Sequence, residues 1–174
     1  MLIVALVATL TTAASPPAGA PAWHPYNSPL RFSAHFPSQP RVERSERPIK
    51  TRYGSGNARV EYVTGTDGVA VFAVESSEMP AGAVPSGKER DFLVGVQQGL
   101  VGSGTLLSEG EVRLVGSPGR HFTFRAVRQA RSFLWLVRIY YVHGRIHSLF
   151  VLTPDTADRT KESQRFFSTF RLHQ

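Results

Sequence analysis

From Phe133 to Val142 the chain reads Phe-Leu-Trp-Leu-Val-Arg-Ile-Tyr-Tyr-Val, apolar at nearly every position. Alternate residues of a strand point to opposite faces, so Phe133, Trp135, Val137, Ile139 and Tyr141 make one face and Leu134, Leu136, Arg138, Tyr140 and Val142 the other. Both faces are largely apolar. Such a strand belongs in the middle of a sheet covered on both sides, or in one with a face left partly open for a partner. Any fold for this chain must therefore cover both faces of one sheet or leave one of them partly open.

The flanking segments supply the rest of that sheet. Leu30 to Phe36 alternates, with Leu30, Phe32, Ala34 and Phe36 on one side, and Pro37 and Pro40 end it because proline cannot donate to a ladder. Ile49 to Tyr53, Arg59 to Thr64 and Val69 to Glu75 form a meander, its turns at Gly54-Ser55-Gly56-Asn57 and Thr66-Asp67-Gly68. Then the period changes. Phe92, Leu93, Val96 and Leu100 recur at helical spacing behind a capping box of Ser86 and Glu89, and Gly102 and Gly104 stop the helix. Strand signals resume at Leu106 to Val115, Arg120 to Val127 and Phe133 to Val142, and a His143-Gly144 turn leads into Arg145 to Leu152. A two-residue turn there would pair His147 with Tyr140. A last helix is expected from Thr156, capped by Asp155 or Thr156, with Phe166, Phe167 and Phe170 as its apolar stripe. Hairpin connections dominate. The expectation is an α+β sandwich: one antiparallel sheet of about 7–8 strands packed by two main helices, about 87–101 and 156–169.

With 174 residues and 41% hydrophobic content, the chain suffices for one domain with a sizeable core. Met1 to Ser28 carries no charged side chain, and the apolar run Leu2 to Leu10 is followed by small residues, the pattern of an export leader. It is well short of the ~20 residues that cross a bilayer as a helix. Cleavage could follow Ala20 or Ala22, and Pro21 favours the second, so residues 1–22 read as leader and 23–174 as the globular domain. The first basic residue is Arg31, which departs from the usual basic start of a leader. There is no cysteine, which removes disulfides, thiol nucleophiles, cysteine-ligated zinc and lipidated cysteine together. The expected location is exported, periplasmic or extracellular, and soluble after cleavage.

Several residues carry a family likeness. The Phe-x-x-x-Phe-Pro strand from Phe32 to Pro37, the Gly116-Ser117-Pro118-Gly119-Arg120 turn, the Arg138-to-Leu152 hairpin and the closing Phe166-Phe167-Ser168-Thr169-Phe170-Arg171 resemble small bacterial exported proteins of the PsbP-like family. The resemblance spans His24 to Leu172. It implies an α/β sandwich on an antiparallel sheet, used in relatives mainly as a binding or accessory module, and it carries no catalytic residue over to this chain.

Chemical motifs are few. Gly82-Ala-Val-Pro-Ser-Gly-Lys88-Glu89 has the spacing of a phosphate-cradling loop up to its lysine, but Glu89 stands where a magnesium-holding Ser or Thr is needed. The six histidines (His24, His35, His121, His143, His147 and His173) show no ligand spacing and read as solvent-facing strand or turn residues. Glu109 and Glu111 share a strand face and read as a solvated edge. No nucleophile elbow or recognisable triad is present. No catalytic residue, cofactor or metal ligand is assigned, and the chain reads as non-enzymatic; a hydrolase using a cleft between the last helix and the sheet is the alternative kept open.

Charge supplies the binding candidates. Between Val112 and Pro154 lie seven arginines and no acidic residue, whereas Met1 to Glu111 holds nine basic and ten acidic ones. Arg120, Arg125, Arg138, Tyr140 and Arg145 are the candidate anion- or partner-binding residues, through forked hydrogen bonds and stacking. The expected function is an exported accessory module binding a protein partner of the cell envelope, with an anionic ligand (lipid headgroup, glycan or cell-wall polymer) as the alternative. Peripheral membrane contact is compatible with this, nucleic acid is set aside by export, and a monomer is expected.

Overall fold

A computed structural model describes residues 22–173. The leader expected over 1–22 lies outside these residues but for Ala22. The elements, in chain order, are β1 (His24–Asn27), β2 (Phe32–Phe36), β3 (Arg41–Thr51), β4 (Gly54–Thr66), β5 (Val71–Glu78), α1 (Glu89–Val101), β6 (Thr105–Leu114), β7 (Ser117–Arg128), β8 (Arg131–Val142), β9 (Arg145–Pro154), α2 (Thr160–Thr169) and β10 (Arg171–Leu172). Seven strands form one antiparallel sheet in the order β3-β4-β5-β9-β8-β7-β6, and β1-β2-β10 form a small second sheet. The α+β sandwich and the placement of Phe133–Val142 inside the sheet follow the sequence reading. No helix of the described residues is long and apolar enough to cross a membrane.

Each face of the large sheet has its own core. On one face Phe72, Val74, Tyr140, Val142, Leu149 and Val151 meet Phe32 and Phe36 of β2, Phe166 of α2 and Phe170 just beyond it. Phe166 is fully buried, its ring 5.5 Å from both Phe36 and Phe72. On the other face Ala73, Phe122, Phe124, Val137, Ile139 and Phe150 receive Leu93 of α1. The covers differ in breadth. The first face carries a helix and a three-stranded sheet, but the second carries α1 alone, which lies over β7 and β8. Seven strands span roughly 30 Å at ~4.8 Å spacing and a helix is only about 10 Å wide, so one helix cannot cover that face. The strands beyond it close partly on themselves: Ile49, Ala58, Val60 and Ala83 make a separate small cluster with Met79 against it.

Several expectations are corrected. The β3–β4 turn is at Arg52–Tyr53, and Gly54 to Asn57 belong to β4. A Cβ on Gly56 would approach Pro80 to 2.7 Å, so this glycine serves a close approach and not a turn. β3 begins at Arg41, eight residues before the apolar signal, as an exposed charged edge strand. α1 has no side-chain cap from Ser86; instead the Glu89 carboxylate accepts the Gly87 amide at 3.1 Å. α2 starts at Thr160, four residues later than expected. Asp155 does not cap it because its carboxylate is held by Arg125 at 2.7 Å and Ser132 at 3.1 Å, and Asp158 accepts the Thr160 amide instead. Finally, His147 is buried, 2% exposed, and not solvent-facing.

Candidate functional site

The five residues singled out in the sequence do not gather. Strand register places Arg120 on the α1 face, in phase with Phe122 and Phe124, while Arg125, Arg138, Tyr140 and Arg145 lie on the α2 face. Each has a partner. Arg120 donates to Glu109 and to the Gln97 side chain, both at 2.5 Å. The Gln97 amide, donating to Glu109 at 2.7 Å, and then Arg120 hold the Glu109 carboxyl below the usual carboxylate range. Arg125 holds Asp155, and Arg145 reaches Glu78 at 3.4 Å. The Arg138 guanidinium sits 4.6 Å from the centre of the Phe167 ring. Tyr140 is 5% exposed and its ring stacks on Phe170, so its phenol faces the core; burial raises its pKa.

A polar row crosses the α2 face beneath the small sheet. The Glu61 carboxylate, 1% exposed, accepts from Tyr26 at 3.0 Å, Arg44 at 2.7 Å and the Ser28 hydroxyl. One register step on, Ser76 Oγ lies 3.1 Å from His147 Nδ1. Burial, helped by Arg145, lowers the His147 pKa to about 4. Glu61 with Tyr26 and Ser28 ties the β1 segment to the large sheet under the largely exposed Arg44, and Ser76 with His147 links β5 to β9.

The uncovered part of the α1 face is where the structure is concave. A cavity of about 370 Å3 opens between α1, the end of β3 and the strands β5 and β9. That volume lies within the ~300–1,000 Å3 typical of small-ligand sites. Its floor is Glu75 and Ser77 of β5 with Ile146, Ser148 and Phe150 of β9, its far wall is Ile49 with Met79, and its near wall is the Phe92, Gly95, Val96, Gly99 stripe of α1. These four recur at i, i+3, i+4 and i+7, one side of a helix. A Cβ built on Gly95 or Gly99 would meet nothing within 4 Å, so both glycines leave open space where side chains would project. The rim is charged, with Arg52 of the β3–β4 turn reaching Asp91 of α1 at 3.5 Å.

Glu75 sets the electrostatics of the floor. It is 5% exposed and its Oε2 makes no hydrogen bond; the nearest cation is Arg47, at 3.7 Å. Burial raises its pKa, opposed by the Arg47 guanidinium and the Ser77 hydroxyl. The neighbouring Tyr62 phenol is also pushed up, by burial first and then by the Glu75 and Glu43 charges. A carboxyl group here can accept a donor or share a proton with whatever occupies the cavity.

Sequence reasoning missed this site. It read Phe92 as core stripe, whereas Leu93 and Gln97 are the residues α1 buries and Phe92 is half-buried at the cavity, edge-on to Tyr141. Two signals were available: a pair of glycines four apart in phase with that stripe, and an acidic residue in phase with the inward Ala73.

No family model matches the chain, and no curated protein matches it. Solved structures do. The solution structure of cyanobacterial PsbP (CyanoP) from Synechocystis sp. PCC 6803 is similar with a TM-score of 0.59 over 92% of this chain and 98% of its own, at 11% identity. A protein from Bacteroides thetaiotaomicron is similar with a TM-score of 0.51 at 12% identity, over 86% of this chain and 48% of that one. This chain thus spans about half the length of the latter. The chain has a PsbP-like fold.

Proposed function

We propose that this chain is a non-enzymatic binding module whose ligand site is the cavity beneath α1. The single observation behind this is the combination at that place: an apolar concavity of about 370 Å3 whose helical wall carries two glycines with no neighbour to make room for. Glycine inside a helix costs about 0.5–1 kcal/mol relative to alanine, so two of them facing open space trade helix stability for vacant volume. The PsbP-like fold supports a binding or accessory role, and the uncharged leader with its Leu2-to-Leu10 run supports export to the envelope. Arg120, Arg125 and Arg145 each hold a carboxylate of the chain itself, which favours the cavity over an anion-binding surface.

The test uses an apolar fluorescent probe, N-phenyl-1-naphthylamine, titrated into the full chain. Saturable one-to-one binding is expected, with at least a tenfold loss in Gly95→Leu and in Gly99→Leu, both of which should still fold. Equal binding by the leucine variants would overturn the reading.

A further inference from the structure

The cavity floor has a chemical preference that its apolar walls do not explain. Three buried polar side chains break an otherwise apolar surface: Glu75, Ser77 and Ser148, each 5% exposed. Glu75 and Ser148 are direct cross-strand partners, and Ser77 follows Glu75 on the same face, so all three stand within one register step. Such neighbours have Cβ atoms roughly 5–7 Å apart, close enough for one small group to reach all of them. Between them they offer a carboxylate and two hydroxyls as acceptors; Glu75 Oε2 itself is enclosed on the Arg47 side without a hydrogen bond, so the carboxylate charge is only partly compensated within the chain. Arg47, the cation nearest Glu75, points Nη1 at the carboxylate from 3.7 Å, beyond hydrogen-bond distance, and does not line the cavity. Glu75 is thus the one charged residue of the floor, with Lys50 and Arg52 at the rim.

We propose that the cavity takes an amphipathic primary amine, its ammonium head seated among Glu75, Ser77 and Ser148 and its apolar body against Phe92, Val96 and Phe150. An ammonium has three donors and no acceptor, the complement of this floor. A carboxylate head would meet Glu75 at short range in a poorly solvated site, where like charges repel strongly. A hydroxyl head could satisfy one acceptor but leaves the charge uncompensated. The amine's body matches the walls, and the missing side chains at Gly95 and Gly99 leave it a way in past α1.

Burial raises the Glu75 pKa, so a bound cation would take the place of the proton that site favours. Binding should strengthen as pH rises through that raised value and weaken again as the amine itself deprotonates. The other ionisable groups around the cavity are Arg47, Lys50, Arg52 and Tyr53 from β3 and its turn, Tyr62 on β4 and Asp91 on α1; β9 contributes only Ser148 and apolar side chains.

This proposal rests on the cavity being a ligand site, and the experiment separates the two. Octylamine, 1-octanol and octanoate are titrated calorimetrically into the full chain at pH 7.5 and pH 4, with Glu75→Gln and Gly95→Leu alongside. Octylamine is expected to bind at least tenfold more tightly than the other two at pH 7.5, to lose that margin in Glu75→Gln and at pH 4, and to lose binding altogether in Gly95→Leu. If octanol or octanoate matches octylamine in the wild-type chain, the head-group assignment is wrong and the cavity reading stands. If none of the three binds, or Gly95→Leu binds octylamine undiminished, both fall.

Discussion

Two buried ionisable residues on opposite faces make the protein respond to acid in opposite senses. His147 is held neutral, with its folded pKa lowered from 6.5 to about 4 by burial. The unfolded chain takes up that proton first as pH falls, so its contribution is complete above pH 6.5 and is lost progressively down to about 4. At about 1.4 kcal/mol per pH unit the loss is roughly 3 kcal/mol. His147→Phe should flatten this limb in denaturant titrations at pH 7.5 and 4.5, while costing about 1 kcal/mol at pH 7.5 from the Ser76 hydroxyl left unpaired. Glu75 behaves the other way. Its folded pKa is raised, so the native state gains relative stability as pH falls through that value and is weakened above it. Glu75→Gln should therefore raise Tm at pH 7.5 and lose the gain near pH 4. A Tm lowered at both pH values would show that the Arg47 contact outweighs the cost of burial. Val115 is a third residue with a definite sign. It occupies the β6–β7 turn at φ 50°, 76% exposed, where a β-branched side chain is strained and repays nothing by burial. Val115→Asn should stabilise by about 1 kcal/mol, read as a shift in denaturation midpoint at unchanged slope.

Among elements, α1 is the one whose composition conflicts with its stability. Gly95→Ala and Gly99→Ala should each stabilise the protein by about 0.5–1 kcal/mol through helix propensity alone, since neither new methyl meets a neighbour. A loss of stability in both would mean that the cavity wall is already closed. The same helix shows where legibility ended. Its existence and its stop at Gly102 were readable, because apolar residues recurred at helical spacing and Gly102 adopts a positive φ of 51°. Its orientation was largely readable, since Leu93, Val96 and Leu100 of the expected stripe do pack on the sheet; what was not is that Gln97 is buried beside Leu93 while the adjacent Phe92 stands at the cavity. Strands with one buried face were located along the chain, down to the His147 and Tyr140 pairing across the turn at His143 and Gly144, but β2, expected in the large sheet, pairs with β1 and β10 in the small one. The first half of β3 was invisible because Arg41 to Glu46 is exposed and alternates nothing hydrophobic. The start of α2 was misplaced because the expected cap, Asp155, is claimed by Arg125 from another strand, a contact no local pattern records. Candidate site residues fared worst, since charge counted along the chain does not reveal partners across the sheet.

For the whole molecule, that pairing offsets part of the asymmetry of charge. Arginines of the last third meet acids from the middle of the chain, Arg120 with Glu109 across the β6–β7 hairpin and Arg145 with Glu78 from a distant stretch brought alongside by β5–β9 pairing. Shared strands couple the two cores in the same way. Phe72 points to the α2 face and its neighbour Ala73 to the α1 face; Leu149 and Phe150 divide likewise on β9. Neither core can be lost while the other keeps its strands. The ends of the fold are bound into this unit, since β1 and β10 flank β2 and the His173 amide donates to the Arg31 carbonyl. A single cooperative transition is therefore expected, although the two faces carry separate hydrophobic clusters. The two tryptophans can report on it separately, because Trp23 lies edge-on to Phe72 on the α2 face and Trp135 stacks on Phe124 on the α1 face. Trp23→Phe and Trp135→Phe leave one reporter each. Correcting each variant for its own stability by circular dichroism, the fluorescence and backbone midpoints should coincide in both. A fluorescence midpoint that precedes the backbone midpoint only when Trp135 is the reporter would show that the thinly covered α1 face loosens first, and that its cavity is set by a locally unstable cover rather than by the whole fold.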